Sequence, residues 1–285
     1  MLFGVAFALT GCMMASPSRA HIGAAPADLH AQTVMFHSAS GSNIHAWFVP
    51  GRHGLGAVLL LHGVGSNRTS MLGRARFLSA LGFTVLAPDF QAHGESPGDH
   101  VTFGATESLD AAASVSFLHR VAPGERVGVI GVSMGGAAAL LGPGPLDASA
   151  FVLESVYPTI RQALSDRLDT WFGPLGGVAS LFTPIVIHIV GNDIGVSESE
   201  LQPIDRIGRI HAPLLFLSGT ADPYTPITEA ESLYAHAPAP KSYWAVPGAG
   251  HEDLYGYDPV EYRQRVGTFL ERTLRVSARD STAHP

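Results

Sequence analysis

The chain holds a single cysteine, Cys12, so no disulfide can form within it. Charge is scarce: Asp, Glu, Lys and Arg make up only 14% of the residues, with a formal net charge of −7. No basic cluster and no interleaved aromatic run is present, which argues against nucleic acid as a partner. No H-E-x-x-H or comparable histidine spacing occurs, and no G-x-G-x-x-G or phosphate loop follows a strand, so neither a metal nor a nucleotide cofactor is implied. Internal repeats are lacking. The most apolar internal stretch, 173–191, is broken by four glycines, two prolines and His188, which makes it a poor membrane span.

What is present is apolar residues at 46% and a mean hydropathy of +0.20, the composition of a globular chain. Its 285 residues suffice for one large α/β domain with a sizeable core.

Met1 to Leu9 is a short apolar run that reads as the hydrophobic region of a signal peptide, giving a signal segment over 1–20. It runs into Leu9-Thr10-Gly11-Cys12, which resembles a bacterial lipobox in which the cysteine is lipidated and becomes the new N-terminus. The run departs from that pattern in having no Lys or Arg before it. Ordinary secretion, with cleavage after Ser18-Arg19-Ala20, is the second reading. Either one gives an exported protein, anchored to the cell envelope through Cys12 or released.

The domain is expected over 28–276, with residues 277–285 a disordered tail. Thr33–His37 and Ile44–Val49 read as a hairpin around a Ser/Gly/Asn turn. Ala57–Leu61 is a continuous apolar strand running into His62-Gly63-Val64-Gly65, followed by a helix that Gly82 stops. Further strands are read at Phe83–Ala87, 127–132, Phe151–Leu153, Leu214–Leu217 and Ser242–Val246. Helices are expected around Glu107–Val121, after residue 133, at Arg161–Phe172 and from Thr225-Pro226, with a last one from Asp258-Pro259-x-Glu261. Between about 158 and 204 the strand–helix alternation breaks. That segment fits a helical cap over the open end of the sheet, since exposed apolar surface of that size usually serves binding.

The stretch Val127 to Gly136 carries the chemistry. A short strand ends in Gly131-x-Ser133-x-Gly135, and a small-residue helix follows. That is the pattern of a turn so sharp that its central residue is strained and points outward. In an open parallel sheet, ligands meet the carboxyl ends of the strands. Four strands end in chemically loaded residues: His62-Gly63, Ser133, Asp222 and His251. The order Ser, Asp, His, with gaps of 89 and 29 residues, matches that of an α/β hydrolase.

On His62-Gly63, Asp89…His93-Gly94-x-Ser96, Gly131-Val132-Ser133-Met134-Gly135-Gly136, Gly219-x-x-Asp222 and Gly248-Ala249-Gly250-His251, the chain resembles the α/β-hydrolase superfamily in its esterase, lipase and serine-aminopeptidase-like branch. The resemblance spans roughly 32–275 and implies a mostly parallel sheet flanked by helices. The Arg-Gly usual before the second His-Gly is Gln91-Ala92 here, which bears on structural pairing at that corner.

A serine hydroxyl needs a base within reach, and His251 can take its proton while Asp222 orients and compensates the imidazolium. The backbone N–H groups of Val64 and Met134 are the candidates to hold the oxyanion. Glu154, also at a strand end, is the reserve acid. His62 and His93 read as loop-structuring residues. The expectation is therefore a serine hydrolase acting on a carboxylic ester or thioester of a small-molecule acyl substrate through an acyl-enzyme. Acyl transfer and peptide hydrolysis use the same residues. A peptidase would want acids in the cap for a substrate ammonium, with Asp166, Asp169 and Asp193 available. A non-catalytic binding protein is a further reading, because fold does not fix function. Oligomeric state stays open.

Overall fold

Ala57–Leu61 (β4) and Val127–Val132 (β7) lie side by side at the centre of an eight-stranded sheet, in register from Ala57 against Val127 to Leu61 against Gly131. Their unbroken apolar runs follow from burial on both faces. The computed structural model describes residues 14–275. Cys12, the first part of the expected signal segment and the tail 277–285 lie outside the described residues.

The strand order is β10-β9-β8-β7-β4-β5-β3-β2, with β2 at Gln32–His37, β3 at Asn43–Val49, β5 at Thr84–Pro88, β8 at Ala150–Glu154, β9 at Leu214–Gly219 and β10 at Lys241–Val246. All neighbours run parallel except β2 with β3 and β3 with β5. The hairpin and the strands thus form where the apolar patterning puts them.

Side chains alternate between two cores. Leu59, Leu61 and Val129 pack toward helices Glu107–Val121 and Met134–Leu141. Val58, Leu60 and Ile130 pack toward helices Leu72–Leu81 and Pro259–Leu274, meeting Leu78, Tyr262, Val266 and Leu270. Gly82 ends its helix in the left-handed conformation, and Asp258 caps the last helix through its carboxylate on the Glu261 N–H. Thr225-Pro226 behaves differently from expectation. The helix runs Ile227–His236 with Pro226 at its N-cap position, while the Thr225 hydroxyl donates to the Ser155 carbonyl. The Asp222 carboxylate holds the Tyr224 and Thr225 N–H groups in a turn of its own, and the helix begins one residue later than expected.

Residues upstream of 28 belong to the packing. Ser18–Arg19 (β1) pairs in parallel with His93–Gly94 (β6), the Val101 N–H donates to the Ala15 carbonyl at 2.8 Å, and Ala15 is buried. At the neighbouring corner Ala92 has a φ of 60°, the left-handed region that favours glycine. Gln91 there donates to Glu107 and to the His100 carbonyl.

The segment 158–204 forms helices. Ile160–Phe172 and Thr183–Ile194 are its long elements, joined by short turns of helix. Ile160–Ile194 is long and apolar enough to cross a membrane, an 18-residue window within it reaching a mean hydropathy of 1.6. In the fold it lies over the carboxyl ends of the strands, lining the space above Ser133 with Ala163, Leu164, Val186 and Val190. Leu175, Val178, Leu181 and Ile185 stay exposed on its outside.

Candidate active site

Ser133 follows β7 directly and caps the helix Met134–Leu141, with φ 50° and ψ −116°. This strained conformation is held from all sides. A Cβ on Gly131 would come within 2.6 Å of the Gly136 backbone, and one on Gly135 within 2.4 Å of the Leu61 carbonyl oxygen. The Ser133 N–H donates to the Glu154 carbonyl at 2.8 Å, tying the turn to the next strand. Only glycine lets strand, turn and helix approach this closely.

Asp222 and His251 leave neighbouring strands, β9 and β10. Their loops are joined by the Ala221 N–H donating to the Ala249 carbonyl at 2.9 Å, an approach that leaves no room for a Cβ on Gly219. His251 Nδ1 meets Asp222 Oδ2 at 2.8 Å. The other oxygen, Oδ1, accepts the N–H groups of Tyr224 and Thr225, both at 2.9 Å. The Asp222 carboxylate is fully buried, whereas the imidazole is 21% exposed. With three partners around it, the carboxylate is held in place and fixes the ring with Nε2 as the uncommitted nitrogen.

Ser133 and His251 line one cleft together with Val64, Ser155 and Tyr224. No hydrogen bond joins the Ser133 hydroxyl to His251 in this structure; such contacts often close only in complexes with substrate. Val64 and Met134 flank Ser133, and among the described residues neither backbone N–H has an acceptor. The Met134 group also sits at the positive end of its helix.

Glu154 is committed elsewhere. The buried guanidinium of Arg74 and the Tyr262 hydroxyl hold it, so it does not serve as the acid. His62 Nε2 accepts the Phe90 N–H, and its Nδ1 lies 2.8 Å from the Gly63 carbonyl. Burial, with His93 beside it, pushes this imidazole down to about 3, which keeps it neutral and structural. His93 bridges the Gly65 N–H and the Gln91 carbonyl.

Behind Ser133 lies a narrow apolar cavity walled by Met14, Phe103, Tyr157, Leu164, Val186 and Val190. Asp166, Asp169 and Asp193 do not line it or the cleft. Sequence reasoning missed several residues here. Tyr224 stands edge-on to His251 with ring centroids 5.5 Å apart, and the Arg167 guanidinium lies 5.4 Å from the Tyr224 ring centre. Tyr224 was open to notice from its place two residues after Asp222. Arg167 and Met14 reach the site only through the tertiary fold, and no local pattern marks them.

Comparison with known proteins agrees with this architecture. A family model described as "Alpha/beta hydrolase family" matches residues 58–265. The chain is 28% identical over 244 residues to the uncharacterized protein YqkD of Bacillus subtilis, covering 82% of this chain and 77% of that one. It is 26% identical over 262 residues to the alpha/beta hydrolase domain-containing protein WAV2 of Arabidopsis thaliana, covering 88% and 82%. Among solved structures, the Pyrococcus furiosus esterase Pf2001 superposes with a TM-score of 0.76 at 26% identity, covering 92% of this chain and 98% of that one. An esterase from Exiguobacterium antarcticum shares the fold, with a TM-score of 0.63 at 18% identity and coverage of 84% and 100%.

Proposed function

The chain belongs to the alpha/beta hydrolase family, and from that premise we propose that it is a serine hydrolase cleaving carboxylic esters or thioesters through an acyl-enzyme. The observation that carries the reading is the 2.8 Å contact between Asp222 and His251, at the rim of the cleft into which the strained Ser133 turn opens.

In this mechanism His251 Nε2 takes the Ser133 proton as Oγ attacks the substrate carbonyl carbon. The resulting oxyanion is held by the N–H groups of Val64 and Met134. Asp222, already hydrogen-bonded to Nδ1, compensates the imidazolium without taking a proton itself. The C–O or C–S bond to the leaving group then breaks, and His251 returns the proton to the departing oxygen or sulfur. Water repeats the sequence in the second half, its proton passing to His251 and then to Ser133 as the acid is released. The cavity walled by Leu164, Val186 and Val190 is suited to an apolar acyl chain. Peptide hydrolysis at a free amino terminus is disfavoured. The one cap acid on the cavity wall, Glu198, is bonded through both oxygens to Arg161.

The proposal extends to the protein's address: export, with the chain retained at the envelope by a lipid on Cys12. The burial of Ala15 and the pairing of Ser18–Arg19 support cleavage ahead of Cys12 over cleavage after Ala20, which would strip both from the fold. The function is tested with p-nitrophenyl esters of increasing chain length. The wild-type protein is expected to turn them over and Ser133→Ala protein of unchanged circular dichroism to be inactive. Equal hydrolysis by the two proteins would refute the reading.

A further inference from the structure

Arg167 sits where three spaces meet. It lines the apolar cavity behind Ser133, the open cleft shared by Ser133 and His251, and the groove between the cap and the N-terminal segment. Its hydrogen bonding is sparse for a guanidinium with five N–H groups: Nη1 donates to the Ala163 carbonyl of its own helix at 2.8 Å. Its remaining contact of note is the face of Tyr224. Among the described residues, no carboxylate oxygen lies within ion-pair distance of it. Arg74, the other arginine on the cleft, is neutralised by Glu154 and Asp253. Burial lowers the pKa of Arg167, opposed by Tyr157, Tyr224, Asp222 and Asp166, yet a guanidinium remains protonated in any protein. The guanidinium is only part-buried and opens to the cleft, so a cation without an ion-pair partner stands where an entering anion can reach it.

We propose that Arg167 is the anion-binding subsite of the enzyme, and that its preferred substrates are esters whose leaving group carries a carboxylate or phosphate. This rests on the serine-hydrolase reading above. The assignment to the leaving-group side follows from the run of contacts Arg167–Tyr224–His251, because the leaving group departs beside the imidazole that protonates it. Aliphatic walls occupy the acyl side, where a second charge would find no further partners. The flat fork of a guanidinium suits two oxygens of either anion. Its place over the Tyr224 ring and its bond to the Ala163 carbonyl hold the guanidinium beside the cleft before substrate arrives.

The test measures kcat/KM for four butanoyl esters: of 4-hydroxybenzoate, of its neutral amide, of 4-hydroxyphenyl phosphate, and of the neutral phenol. Wild-type protein is expected to prefer the anionic member of at least one pair. Arg167→Met is expected to lower the anionic-to-neutral ratio about tenfold or more, the size of a lost charge-assisted hydrogen bond, while Arg167→Lys retains part of it. The better of the two anionic esters tells carboxylate from phosphate. Labelling of Ser133 by a fluorophosphonate in each variant reports that the fold and the nucleophile are intact. Failure of the serine-hydrolase reading would abolish that labelling in the wild type, whereas failure of this proposal would leave it in place. The proposal is overturned if anionic and neutral esters lose rate equally in Arg167→Met. It is also overturned if the preference appears for a 4-nitrophenyl ester with a carboxylate on its acyl chain and not for these leaving groups.

Discussion

The carboxylate of Asp222 holds the imidazole of His251 at 2.8 Å while its second oxygen is fixed by two backbone N–H groups. The acid thus orients the base, and the surrounding loop orients the acid. Asp222→Asn keeps the shape but presents an amide to Nδ1, which favours the wrong tautomer. The expected outcome is a loss of about four orders of magnitude in kcat with little change in KM, measured by steady-state kinetics on a p-nitrophenyl ester.

The elbow tolerates no side chain at Gly135, where a Cβ would lie 2.4 Å from the Leu61 carbonyl oxygen and 2.6 Å from that of His62. Both neighbours are backbone and cannot swing aside. Gly135→Ala is expected to cost about 3 kcal/mol or more, read as a shifted urea midpoint. Gly177, on the cap, has open space around its Cβ position. Gly177→Ala is expected to be neutral or to stabilise by about 0.5 kcal/mol.

The cap helix Ile160–Phe172 meets the helix Ile227–His236 through Asp166 and Glu229, each with one buried carboxyl oxygen lacking a hydrogen-bond partner. Burial and the facing Asp166 push the Glu229 carboxyl from its ordinary 4.5 up to about 8; burial, with Asp169 close by, pushes Asp166 up to about 6. Arg167 and Gln162 act the other way, and Asp222 adds to the upward push. Here the folded protein binds more protons than the unfolded chain. Its stability is therefore expected to decline as pH rises from the ordinary carboxylate range toward about 8, and to level off above. Glu229→Gln keeps a neutral group at all pH values and is expected to flatten that slope in urea melts across this range.

If residues 14–20 stay with the mature protein, its N-terminal peptide carries Cys12 and a lipid mass. A mature chain beginning at His21 would contradict this part of the proposal. A version engineered to begin at His21 loses β1 and the Met14 wall of the cavity, and is expected to melt at lower temperature.

Much of this was legible in the chain because the signals are local. Gly131-x-Ser133-x-Gly135 places a strained turn between a buried strand and a small-residue helix, and each of those three features shows in a few neighbouring residues. Asp222 follows the buried apolar strand Leu214–Gly219 and His251 the mixed edge strand Lys241–Val246, so their position at the sheet rim follows from the strands. What stayed hidden depends on contacts between distant segments. Arg167 reads as an ordinary polar position in a cap helix until Tyr224 arrives beneath it. Glu154 reads as a reserve acid until Arg74, eighty residues upstream, neutralises it. Thr225-Pro226 has the local chemistry of a helix start. That signal failed because the Thr225 hydroxyl is spent on the Ser155 carbonyl, while Asp222 fixes the preceding turn through the Tyr224 and Thr225 N–H groups.

The central claim is that the hydroxyl of one serine, made nucleophilic by a distant imidazole, does the chemistry. Treating the wild-type protein with a fluorophosphonate and mapping the adduct by tandem mass spectrometry addresses it directly. The account predicts one adduct, on Ser133, with labelling abolished in Ser133→Ala and slowed in His251→Ala. An adduct on any other residue, or undiminished labelling of the His251→Ala protein, would contradict it.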